Sequence, residues 1–129
     1  MAHTTNYRNA FITVADGCPA TTGEVPPSRD PKSVAQIQYE MVIDHPYKYT
    51  SDDVIYISNG ERRGIGRDEF FAKGQACFRD SPLTKRYGWG VHSNADGKIA
   101  LYPVNSDEYT ALANDPEINQ VRGMRASKT

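Results

Sequence analysis

Residues 16 to 31 read DGCPATTGEVPPSRDP, and the four prolines and two glycines in this span forbid a regular element there. The chain is thereby divided into a short N-terminal piece and a longer remainder, joined by a segment that must take its order from tertiary contacts. Loops of this length inside small domains are uncommon, and those that occur are functional or disordered. With 129 residues, the chain has room for one domain around a modest core and not for two.

On either side of this loop the pattern is more regular. Asn9-Ala-Phe-Ile-Thr-Val-Ala15 alternates and is rich in β-formers, which predicts a strand over 9–15. Either Asp30-Pro31 or Ser33 with Gln36 can cap the helix that follows the loop. Val34, Ile37, Met41 and Val42 give that helix an apolar stripe, and Pro46 stops it. Val54-Ile-Tyr-Ile57 predicts a second strand ended by Asn59-Gly60, and Asp68–Lys73 a short helix ending at Gly74. A hairpin is expected between 88–93 and 98–103, across the turn-rich Ser93-Asn-Ala-Asp-Gly-Lys98. Asn105 with Glu108 can cap a helix over 106–113. Beyond Pro116 the sequence EINQVRGMRASKT offers little to a core, which predicts a domain over 1–115 and a flexible tail over 116–129. The order β-α-β-α-β-β-α fits an α+β domain, a mostly antiparallel sheet with helices packed on one side.

Composition narrows the function classes. No run of about 18 apolar residues is present, so no transmembrane helix is expected. MAHTTNYRNAF lacks the basic start and apolar stretch of a signal peptide, and the cytoplasm is the expected location. Cys18 and Cys77 follow no CxxC spacing and read as free thiols. His3, His45 and His92 match no zinc spacing, and no GxGxxG, Walker A, GxSxG or HExxH signature occurs, so neither a metal nor a cofactor is expected. Gly60–Gly66 has glycines but lacks the Lys-Ser/Thr of a phosphate loop. The net charge of −1 conceals a basic stretch over 61–87, which carries Arg62, Arg63, Arg67, Lys73, Arg79, Lys85 and Arg86 against four acids. That skew suits a local anion; it is too mild for a nucleic-acid footprint.

The chemically densest stretch is Ser81-Pro-Leu-Thr-Lys-Arg-Tyr-Gly-Trp-Gly-Val-His92. Lys85 and Arg86 suit a phosphate or carboxylate, with Tyr87 and His92 as polar contacts. In a regular strand Gly88, Gly90 and His92 share one face, Trp89 and Val91 the other. Two readings follow. In one, Gly88 and Gly90 form a floor over which a small anionic ligand approaches Lys85, Arg86, Tyr87 and His92. In the other, Trp89 and Val91 belong to the core, the glycines ease strand twist, and the basic pair is solvated. Cys18, in the long loop, is a nucleophile if His92 reaches it as a base, and otherwise a small buried hydrophobe. Tyr47 and Tyr49 flank Lys48 and can hold an amphipathic ligand or cover a helix end. A homodimer through the tyrosine-rich 47–56 region and the hairpin is the third possibility.

Cys18-Pro-Ala-Thr-Thr with Val25-Pro-Pro, Val34-Ala-Gln-Ile-Gln-Tyr-Glu40, Pro46-Tyr-Lys-Tyr49 and Ser81–Ser93 resemble a family of small bacterial and fungal proteins, DUF6157. The resemblance covers most of 6–112 and leaves out the segment after Pro116. It implies no activity, substrate or cofactor, and it carries no catalytic residue onto these positions.

Overall fold

The computed structural model describes residues 3–125. A four-stranded sheet has the order β3-β2-β1-β4, built from β1 (Ala10–Thr13), β2 (Trp89–Ser93), β3 (Ile99–Pro103) and β4 (Asn119–Arg122). β1–β2 and β2–β3 are antiparallel, while β1–β4 is parallel. The domain is α+β with a mostly antiparallel sheet. β4 lies in the segment expected to be a flexible tail, and this is a correction. Its side chains are largely exposed, so burial could not announce it; backbone pairing with β1 recruits it. Residues 126–129 of that segment lie outside the described residues.

The alternation of β2 sorts its side chains as the core reading requires. Val91 and Trp89 are buried in one cluster with Ile12, Ile99, Leu101, Leu83 and Phe78. Trp89 also packs on Tyr39 and donates its indole N–H to Glu24 O at 2.8 Å. On this face sit α1 (Val34–Ile43), α2 (Ser51–Ile55), α3 (Arg67–Phe71) and α4 (Pro82–Lys85), all contributing to the cluster or its margin. α5 (Asp107–Ala113) is the exception to the one-sided arrangement. It lies on the opposite face, where Tyr109 meets the Phe11 ring edge-on at 5.0 Å and its hydroxyl accepts the Val14 N–H beyond the end of β1 at 2.9 Å.

α1 starts where Ser33 Oγ accepts the N–H of Gln36 at 3.1 Å, so Ser33 is the cap. Its buried side is Ala35, Gln36, Gln38 and Val42, rotated from the expected stripe: Val34, Ile37 and Met41 are only half-buried. The rotation has a polar cause, because Gln38 is drawn inward by two serines. α5 is capped by Ser106, which accepts Tyr109 N–H, one residue after the expected Asn105.

The expected strand at Val54–Ile57 is instead α2 followed by a single wide turn, Tyr56–Gly60. Thr50 and Asp53 form a reciprocal capping box, with Thr50 Oγ1 accepting Asp53 N–H at 3.2 Å and Asp53 accepting Thr50 N–H at 3.0 Å. Four β-favouring residues lose to that box and to burial of Val54 and Ile55. Ser58 then donates to Val54 O at 2.8 Å, within the turn where the helix widens.

Candidate functional site

The expected ligand residues fall on two sides of the sheet. Lys85, Arg86 and Tyr87 lie where α4 ends, on the α1 side. With Arg29, Ser33, Val34, Ala35, Asp80 and Pro82 they line a cavity of about 390 Å³. His92 lies on the α5 side, since it pairs with Phe11 and Ala100. The sheet separates the two groups.

The glycines do not provide an open floor. A Cβ on Gly88 would stand 2.3 Å from Thr22 O, and one on Gly90 would stand 2.5 Å from the Phe11 ring and 2.7 Å from Tyr109. Both positions are small because the chain itself fills the space beside them. This corrects the reading of Gly88 and Gly90 as a ligand surface.

Cys18 and His92 are likewise not brought together. His92 stands opposite Phe11 near the start of β1, whereas Cys18 follows the strand's other end, its N–H bonded to Ala15 O at 3.1 Å. The Cys18 thiol contacts Ala20 O at 4.0 Å, and His92 Nδ1 is 2.7 Å from Tyr47 Oη. The nucleophile–base pair expected from the sequence therefore lacks its geometry.

The cavity between α1 and α4 is assembled by three local devices. Ser81 caps α4, accepting Leu83 N–H at 3.1 Å, with Pro82 at the first helical position. Lys85 reaches back along α4 and pairs with Asp80. Across the cavity, α1 opens with no acidic residue in its first turn, which leaves the positive end of its dipole uncompensated. Arg29 is held beside that end because its N–H donates to Gln36 Oε1 at 3.0 Å, while Gln36 Nε2 donates to Glu40 at 3.1 Å. Arg29 and Arg86 are exposed, and among the described residues neither forms an ion pair.

Arg29 is the residue that the sequence reading missed. It sits in an aperiodic loop, so no pattern marks it. A signal does exist, because Arg29 and Lys32 precede a helix whose first turn has no carboxylate, the reverse of the usual arrangement. Lys32 is turned away to Glu40 on the exposed side.

A second polar cluster occupies the α5 side. Tyr47 Oη lies 2.7 Å from His92 Nδ1 and 2.8 Å from Tyr102 Oη. Tyr47 reaches it from the outer edge of β3, where its N–H donates to Ile99 O at 2.8 Å, with a left-handed backbone at φ 60°. Burial raises the Tyr47 pKa, reinforced by Tyr102. Burial lowers that of His92, against a smaller opposing pull from Asp115. The cluster keeps its bonds in either protonation state, since a Tyr47 hydroxyl that accepts from His92 can still donate to Tyr102. The pH effect is thus one of burial. With the folded pKa depressed, the unfolded chain takes up the proton first as pH falls, so this contribution is present above the ordinary histidine pKa and is lost below it. Melting temperatures of wild type and His92→Gln from pH 7.5 to 5 check this. The advantage of wild type is expected to shrink below about pH 6.5, and a constant difference would contradict it.

Fold and cavity together define a small single-domain α+β protein with a cationic recess beside a helix start. The chain belongs to DUF6157, described as a family of unknown function, whose model matches residues 2–129. The match includes β4 and so extends past the stretch whose residues carried the resemblance. Comparison with curated proteins and with solved structures gave no match. No helix among the described residues is long and apolar enough to cross a membrane.

Proposed function

We propose that the protein binds a small anionic ligand, phosphate- or carboxylate-bearing, in the cavity between α1 and α4. The observation that carries this reading is the meeting of Arg29 and Arg86, neither of which forms an ion pair among the described residues, beside a helix whose first turn has no carboxylate. Lys85 contributes less than its charge suggests, because Asp80 already holds it. Tyr87 forms part of the wall. The free thiols Cys18 and Cys77 support a reducing compartment, the cytoplasm, as its setting.

A titration of thermal stability with inorganic phosphate, pyrophosphate and small carboxylates tests the reading. At a hundredfold excess over Kd a ligand stabilises the native state by about 2.7 kcal/mol, a rise in Tm on the order of 8 °C. Arg29→Ala/Arg86→Ala is expected to lose most of that rise while melting, without ligand, near the wild-type temperature, since both side chains are exposed. If no such anion stabilises wild type more than the double variant, the reading fails.

A further inference from the structure

Magnitudes show that an anion alone is a poor ligand for this recess. Exposed ion pairs contribute roughly 0–1 kcal/mol each, and a helix start about 0.3–1 kcal/mol. Together these come to at most about 3 kcal/mol, short of the roughly 4 kcal/mol that a Kd of 1 mM requires. Additional affinity must come from the remainder of the ligand, and the fold provides a place for it.

A smaller cavity of about 140 Å³ adjoins the first, and the two share Val34, Asp80 and Pro82 as a common wall. Its remaining lining includes Gln38, Asn59, Cys77 and Ser81. We infer that the ligand is bipartite: an anionic head at Arg29 and Arg86, joined to a small uncharged polyol body in this smaller cavity. The inference rests on the anion-binding reading and adds the chemical class of the ligand.

Three features select that body. Among the described residues no cation lines the smaller cavity, and Asp80 stands at the seam, so a second anion there would meet only a carboxylate. No aromatic side chain among the described residues lines it either, which leaves a nucleobase nothing there to stack on. What remains is a mixture of acceptors and donors. Asp80 pairs with Lys85 through Oδ1, leaving Oδ2 as an acceptor at the seam. Asn59 donates to Ile55 O and Ser58 Oγ at 3.4 and 3.3 Å, leaving its carbonyl as a second acceptor. Gln38 uses one amide hydrogen on Ser58 at 3.2 Å and retains the other. Hydroxyl groups, which donate and accept through one atom, match such a mixture. The volume corresponds to four or five waters at about 30 Å³ each, a body of roughly glycerol size.

Cys77 makes occupancy of the smaller cavity observable, because this partly buried residue lines it, its thiol 3.6 Å from Tyr7 Oη. Calorimetry on wild type compares inorganic phosphate, propyl phosphate and glycerol 3-phosphate. Glycerol 3-phosphate is expected to bind about tenfold more tightly than either of the others. At matched occupancy it is also expected to slow iodoacetamide labelling of Cys77 by about fivefold, whereas inorganic phosphate leaves the rate unchanged. Labelling of Cys18 serves as the internal reference. Ala76→Leu, an exposed position on the rim, is expected to abolish the tenfold preference and preserve phosphate binding. If phosphate binds but glycerol 3-phosphate shows no advantage, or if phosphate alone protects Cys77 equally, the bipartite ligand is overturned and anion binding stands. If none of the three probes binds, both inferences are overturned.

Discussion

Substituting Gly88 by alanine is expected to remove roughly 3 kcal/mol of stability, a large share of what a domain of this size possesses. Gly88 has φ +81°, where an L side chain costs roughly 1–2 kcal/mol. The added Cβ would also stand 2.3 Å from Thr22 O and 3.0 Å from Ala20 Cβ, an overpacking of about 1–3 kcal/mol. Relief requires the 20–24 segment to retreat, and that segment is held. Glu24 N–H donates to Tyr87 O at 2.8 Å, and Glu24 O accepts the Trp89 indole. Gly23 is wedged so closely that a Cβ there would stand 2.5 Å from Pro103 Cβ. Gly17 supplies the control, with φ +82° but nothing within 4 Å of its Cβ position. Gly17→Ala is therefore expected to carry the backbone cost alone. Urea midpoints of the two variants decide the matter. Equal losses would show that the loop yields and that Gly88 is not a packing position.

Ser33 with Gln36, one of two caps expected there, marked the start of α1, and period-two alternation placed Trp89 and Val91 together on one face of β2. Local signals of this kind are legible because the forces behind them act within a few residues. Two other elements are not local. β4 has mostly exposed side chains and forms because its backbone finds β1, more than a hundred positions earlier in the chain. α2 contains a β-favouring run overridden by a cap placed just ahead of it. The site divides along the same line. Lys85, Arg86 and Tyr87 were conspicuous as a cluster and do line one cavity, together with Arg29, which no local pattern connects to them. His92 was grouped with them by sequence proximity, but strand alternation sends it through the sheet to Tyr47 and Tyr102. Adjacency along a strand is thus a weak guide to a shared site, because each step of one residue changes the face.

Gln38→Glu is expected to make stability fall as pH rises, opposite to the usual behaviour of protein carboxylates. Gln38 is 1 % exposed and joins three helical segments. Its Oε1 accepts the Ser81 hydroxyl at 2.6 Å, and its Nε2 donates to Ser58 Oγ at 3.2 Å. The directions are fixed by the partners. Ser58 spends its own proton on Val54 O at 2.8 Å, so toward residue 38 it can only accept. A protonated glutamic acid satisfies this arrangement, donating where the amide did. An ionised one places a carboxylate oxygen against a lone pair and is buried as well, and both effects raise the folded-state pKa. The folded protein then binds the proton more tightly than the unfolded chain, so the cost appears above the unfolded pKa, about 4.3, and grows until the folded pKa is passed. With a shift of two units or more, the loss by pH 8 is about 3 kcal/mol. Gln38→Leu separates this titration from simple loss of hydrogen bonds, since its cost of about 1–3 kcal/mol does not depend on pH. Urea midpoints of the three proteins at pH 4.5 and pH 8 provide the test, and parallel profiles for wild type and Gln38→Glu would refute it. Because Gln38 and Ser81 also line the smaller cavity, the bonds that orient α1 against α4 set the shape of the proposed binding site.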